Sequence, residues 1–83
     1  MYKIVAVSFG WVLVGKVTEN KKGLLVEGAI IRQWGTSKGL PELVGGPTKQ
    51  TLLDKSPVPL NVPFNSVIFT LDIDEKVWGK ALS

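Results

Sequence analysis

The chain contains no cysteine and no histidine. The first absence excludes disulfide staples and thiol chemistry, and the two together remove the commonest zinc ligands. A general base must then come from Asp, Glu or Lys, and a nucleophile from Ser, Thr or Lys. Arginine is nearly absent too: Arg32 is the only one, against nine lysines and seven acidic residues. The resulting charge of +3 suits a phosphate-bearing ligand without marking a nucleic-acid coating protein. Long hydrophobic runs are also missing. The apolar stretches are strand-sized, so no transmembrane helix is expected. Met1-Tyr2-Lys3 leads straight into a β-type run without the layout of a signal peptide, which points to the cytoplasm.

Hydrophobic residues are what is present, at 45% of 83 residues, including three Trp and three Phe. So short a chain makes one domain, 1–83, and buries a limited share of its surface. With neither disulfides nor a histidine–cysteine metal site to staple it, the apolar excess predicts self-association.

The order of residues predicts an all-β protein. Trp11 to Thr18 and Leu24 to Trp34 are rich in β-branched and aromatic residues and flank Glu19-Asn20-Lys21-Lys22-Gly23, which predicts a hairpin. Gly15 has no side chain to pack and marks a bend. A change of phase near Glu27-Gly28 predicts a bulge or bend in the third strand. Ile4 to Ser8 reads as a first strand covered on both faces. Val58 to Phe64 alternates with prolines and reads as an edge strand or extended arm. Val67 to Ile73 alternates cleanly and reads as the fifth strand. Trp11, Leu13, Val17, Val26, Val67, Phe69 and Leu71 are the expected core. The tail, residues 74–83, reads as a short helix with Asp74 as its N-cap. One long irregular loop, about residues 35–59, separates the third and fourth strands and holds four of the five prolines. Within it, Leu40 to Val44 reads as a single helical turn with Pro41 at its start and Gly45 as its stop.

Val14-Gly15-Lys16-Val17 and Leu24-Leu25-Val26-Glu27-Gly28-Ala29 resemble the glycine-bent strand and alternating run of the first Sm motif, and Asn65-Ser66-Val67-Ile68-Phe69 resembles the closing pair of the second. This likeness to the Sm-like family implies a small, strongly bent five-stranded barrel that assembles into a homo-oligomeric ring, many of whose members bind RNA. Lys21-Lys22-Gly23-Leu24 stands where RNA-binding members carry Asp-x-x-Met-Asn, so the likeness extends to fold and assembly and not to their readout of uridine. Arg32 to Asp54, with Trp34-Gly35-Thr36-Ser37-Lys38-Gly39-Leu40, also resembles a family of small uncharacterised bacteriophage proteins. That implies a phage protein made in the host cytoplasm.

Catalysis is not expected. Ser37 and Lys38 are neighbours, but adjacent loop residues seldom bring their side chains together. Asp72, Asp74 and Glu75 lack the dense oxygen set that Mg²⁺ or Ca²⁺ requires, so no metal or cofactor is expected. The long loop is the candidate site, because loops of this length are usually functional or disordered. Gly35-Thr36-Ser37-Lys38-Gly39 and Gly45-Gly46-Pro47-Thr48-Lys49-Gln50-Thr51 combine flexible backbone, hydroxyls and lysines, which suit a phosphate. Arg32 can clamp a phosphate and Trp34 can stack on a base. The expected ligand-binding residues are therefore Arg32, Trp34, Thr36, Ser37, Lys38, Lys49 and Thr51. The expected function is a non-enzymatic module holding RNA or a small nucleotide, such as a host defence signal. A purely structural assembly protein remains the alternative, with Arg32 paired to an acid and Trp34 filling a core or an interface.

Overall fold

The computed structural model describes residues 1–83. The expected hairpin forms: β2 (Trp11–Glu19) and β3 (Gly23–Gln33) pair antiparallel from Leu13 opposite Ile30 to Glu19 opposite Leu24. Asn20 shapes the turn, its Oδ1 accepting from the backbone N–H groups of Lys22 and Gly23, both at 2.9 Å. Asn favours such positions because its short amide mimics a backbone acceptor.

Midway along the hairpin, Gly15 lies opposite Gly28. A Cβ on Gly15 would fall on the carbonyl of Glu27, and one on Gly28 on the carbonyl of Val14. Glycine at both positions lets the backbones approach and the hairpin bend. The register runs through this point without a shift, so no bulge interrupts this pair at Glu27-Gly28. The phase change in the sequence arises because Glu27 is solvent-facing and Gly28 has no side chain.

β1 (Tyr2–Val7) pairs with β2, and β6 (Val67–Asp72) pairs with β1. On its other side β3 carries two short strands in succession. β4 (Leu52–Lys55) pairs with its second half and β5 (Leu60–Pro63) with its first. Pro57 and Pro59 interrupt what would otherwise be one long strand, opposite the glycine bend. The result is a six-stranded antiparallel sheet in the order β4-β3-β2-β1-β6, with β5 also on β3. The five-strand expectation missed β4, which lies inside the segment taken for loop. No backbone pairing joins β6 to β4 or β5, so both ends of the sheet are free edges.

Both faces of this bent sheet are covered. One face packs Ile4, Val12, Val14, Ala29 and Ile31 against Leu40, Leu43 and Trp78. The other gathers Val5, Leu13, Val17, Leu24, Val26 and Val62. Two-sided cover explains why Ile4, Val5 and Ala6 are all buried in succession, as the first-strand pattern predicts. Of the expected core, Leu13, Val17 and Val26 are buried, while Val67 and Leu71 are half-buried. Trp11 (56% exposed) and Phe69 (46% exposed) are corrections. Trp11 begins its strand at the sheet's end, and Phe69 sits on an edge strand with a neighbour on one side only.

The tail forms α1 (Glu75–Ala81), capped by Asp74, whose Oδ1 accepts from Val77 N–H at 3.0 Å. α1 delivers Trp78 to the interior, fully buried, where its Nε1–H donates to the Leu43 carbonyl at 2.7 Å. Leu43 belongs to a 3₁₀ turn, Leu40–Gly45, with Pro41 in its first turn, at the position expected for the helical turn. No helix is long and apolar enough to cross a membrane.

Candidate functional site

The segment between β3 and β4 is closed on itself by two threonines. Thr48 Oγ1 donates to the Gly35 carbonyl and Thr51 Oγ1 to the Trp34 carbonyl, both at 2.7 Å. The Thr48 N–H in turn donates to Thr51 Oγ1 at 2.8 Å. Gly35 adopts φ +67°, and a Cβ there would collide with the peptide joining Gln50 and Thr51. Glycine is thus required where the two limbs of the loop meet. Gln33 Nε2 adds a bond to the Gln50 carbonyl at 3.0 Å. At the far end, Trp78 anchors the 3₁₀ turn through Leu43, and the Asp74 N–H donates to the Val44 carbonyl at 2.9 Å. The loop is therefore fastened at both ends.

Between the limbs opens a polar groove of about 580 Å³, walled by Gln33, Thr36, Ser37, Glu42, Thr48 and Gln50 among others. Glu42 occupies the place where an anion was expected. Its Oε1 accepts from the Lys38 N–H at 3.2 Å and from Ser37 Oγ at 3.3 Å. The glycine-rich run does gather donors on a negative group, and the group is the chain's own carboxylate. Ser37 thus donates to Glu42, while Lys38 contributes its backbone there.

The expected site residues divide accordingly. Thr36 and Ser37 line the groove. Thr51 braces the loop from within and has its hydroxyl committed. Arg32 is the extra residue where the β3–β4 register shifts between Ile31 and Gln33, and its Nε–H donates to both oxygens of Asp54, at 3.2 and 3.1 Å. Both partners are exposed, so the pair holds little energy and leaves the guanidinium accessible. Trp34 follows β3, exposed, with its carbonyl fixed by Thr51. Lys38 and Lys49 are exposed and form no ion pair. Gln33, Glu42, Thr48 and Gln50 were not anticipated as site residues. Thr48-x-x-Thr51 is the one local signal among them, since hydroxyls at this spacing bond back to turn backbone.

A second groove, about 670 Å³, lies at the tip of the β2–β3 hairpin, where Lys21 and Lys22 face Asn61 and Pro63 over a largely apolar floor. Two acidic residues of β6 and the tail have structural partners: Asp72 pairs with Lys3 at 2.8 Å and Asp74 caps α1.

Comparison with protein-family models, with curated proteins and with solved structures returns no match.

Proposed function

We propose that the chain is a non-enzymatic, self-associating module that holds a nucleotide or a short RNA in the groove between residues 33 and 51. The carrying observation is the fastened loop: Thr51 and Thr48 bond the carbonyls of Trp34 and Gly35, and the exposed Trp34 is flanked in sequence by Gln33 and Gly35 of the polar groove. An exposed indole offers a base a stacking surface. Arg32, Lys38 and Lys49 are exposed cations on the same segment, outside the groove lining, and would meet a phosphate reaching beyond it. Glu42 refines the sequence-based reading. A carboxylate repels phosphate and accepts hydrogen bonds, so within the groove it suits the hydroxyls of a ribose or the amino group of a base.

The Sm-like likeness accords with the glycine-bent hairpin, and the phage-like likeness covers the loop itself. Together they favour a phage protein that sequesters a nucleotide signal of its host. The assembly reading draws on different observations: Arg32 is already paired to Asp54, and large apolar side chains such as Phe9 stand in solvent. Native mass spectrometry of the purified chain, with calorimetric titration of nucleotides and short RNAs, separates the two. Bound or titratable nucleotide supports the groove. Self-association with no ligand in any titration replaces it with assembly.

A further inference from the structure

The two free edges of the sheet are chemically unlike. Along β5, the Phe64 N–H donates to the Lys22 carbonyl at 3.2 Å. Successive residues of an antiparallel strand alternate between pointing their backbone groups inward and outward. Counting back from Phe64, Val62 and Leu60 face β3, while Pro63 and Asn61 face outward. Proline has no N–H, so Asn61 is the sole outward donor of β5, and Pro57 and Pro59 just before it add none. This is how natural sheets protect an edge.

β6 has no such protection. The Ile73 N–H donates to the Tyr2 carbonyl at 3.3 Å, so Leu71 and Phe69 face β1, and Thr70 and Asp72 turn both N–H and C=O outward. The strand, Val-Ile-Phe-Thr-Leu-Asp, contains no proline, glycine or lysine. Ile68 is 64% exposed on it, next to Phe69. The apolar margin continues into the β1–β2 turn, which Ser8 Oγ ties to the Ser66 carbonyl at 3.2 Å. That turn holds Phe9, 99% exposed and at φ +67°, a strained backbone that no packing within the chain offsets. Trp11 follows it.

We propose that β6 pairs antiparallel with β6 of a second copy of this chain about a two-fold axis, joining two sheets into one. This rests on the self-association in the proposed function and names its surface and symmetry. β6 is complementary to itself. With the axis at Thr70, each Thr70 exchanges two backbone bonds with its counterpart, Phe69 lies across from Leu71, and Ile68 from Asp72. The strand's single charge never meets its like. A head-to-tail ring would instead set β6 against the edge shared by β4 and β5 of a neighbour; along β5 Asn61 alone donates and Pro63 leaves a carbonyl unanswered, and along the short β4 only Leu53 and Lys55 turn their backbone groups outward. The isologous pairing satisfies the outward groups of Thr70 that the ring leaves in part unbonded.

Thr70→Pro removes an outward N–H and leaves the β1–β6 bonds in place; Asn61→Pro does the same on β5. Analytical ultracentrifugation of the full chain at micromolar concentration, with circular dichroism of each variant, gives the test. The wild type and N61P are expected as dimers, and T70P as a monomer with the wild-type spectrum; a wild-type assembly of three or more subunits overturns the two-fold pairing. Should T70P lose its β signal, Ile68→Asp, which sets a second carboxylate across from Asp72 of the partner copy, is read in its place with the same expectation. A monomeric wild type overturns both this pairing and the self-association beneath it. Dissociation by N61P, with or without T70P, overturns the two-fold pairing alone and restores the head-to-tail ring. An oligomer that survives both T70P and I68D overturns the assignment to β6. Calorimetry on the same wild-type sample judges the ligand groove separately.

Discussion

Replacing Trp78 with Phe tests how the tail governs the loop. Trp78 is fully buried and donates to the Leu43 carbonyl at 2.7 Å. Phenylalanine keeps most of the apolar contact but removes the donor, leaving a buried carbonyl unsatisfied at a cost of about 1–3 kcal/mol. The smaller ring also leaves a void, so a total near 2–3 kcal/mol is expected. A domain of this size has a stability on the order of 4–12 kcal/mol at the usual value per residue. Each kcal/mol shifts the melting temperature by roughly 4–8 °C in a domain of 60–100 residues, so W78F should melt about 10–20 °C below wild type. The loss should also be uneven. Leu43 lies in the 3₁₀ turn, so amide exchange should accelerate first over residues 40–46, and nucleotide affinity should fall further than Tm alone implies. An unchanged melting temperature would refute the reasoning. So would exchange that rises uniformly across the sheet, because it would show that Trp78 fills the core without holding the loop.

Four further outcomes follow from the same structure. Gly15→Ala and Gly28→Ala should each prevent accumulation of folded protein, because the added methyl meets a carbonyl of the paired strand; a folded, wild-type-like spectrum for either contradicts the close approach. Phe69→Ala should cost well under the roughly 3–5 kcal/mol typical of a buried Phe, as read by thermal melting, since the ring is half in solvent. Thr48→Val should lower Tm modestly and raise proteolytic cutting between residues 35 and 51, by breaking the bonds to Gly35 and Thr51. Arg32→Ala should change stability by no more than about 1 kcal/mol, as its ion pair is exposed. Its titration against nucleotides should nevertheless weaken tenfold or more, a charge-assisted bond being worth about 1.5–3 kcal/mol; equal affinity would remove Arg32 from the site.

The hairpin was legible because its signals are local: alternation on either side of an Asn-Lys-Lys-Gly turn, and a lone glycine in a β-branched run. The helical tail was legible through its Asp74 cap. Trp78 was not singled out, since nothing within seven helical residues says that one ring will cross to another segment. β4 escaped notice because Leu52-Leu53-Asp54-Lys55 does not alternate and is a strand only by virtue of its pairing with β3. Phe69 looks internal by alternation, which tells two faces apart but cannot tell a central strand from an edge. In the loop, the sequence displays donors for an anion and is silent about which anion they meet. Glu42 is four residues from Lys38, and only folding shows that its carboxylate reaches them.

A sheet filled on both sides has no blank face on which a binding surface can be drawn. Most substitutions in the middle of β1 to β3 therefore fall on one core or the other and cost stability. The loop, by contrast, is held by a handful of bonds, most of them from Thr48, Thr51 and Trp78, and Leu40 and Leu43 are its residues in the core. Gln33, Thr36, Ser37, Glu42 and Gln50 are exposed or half-buried, so substitutions there should cost far less stability than substitutions in either core. Descendants of this chain can be expected to share the sheet while differing in what they recognise, and a library randomised at those five positions should return mostly folded members.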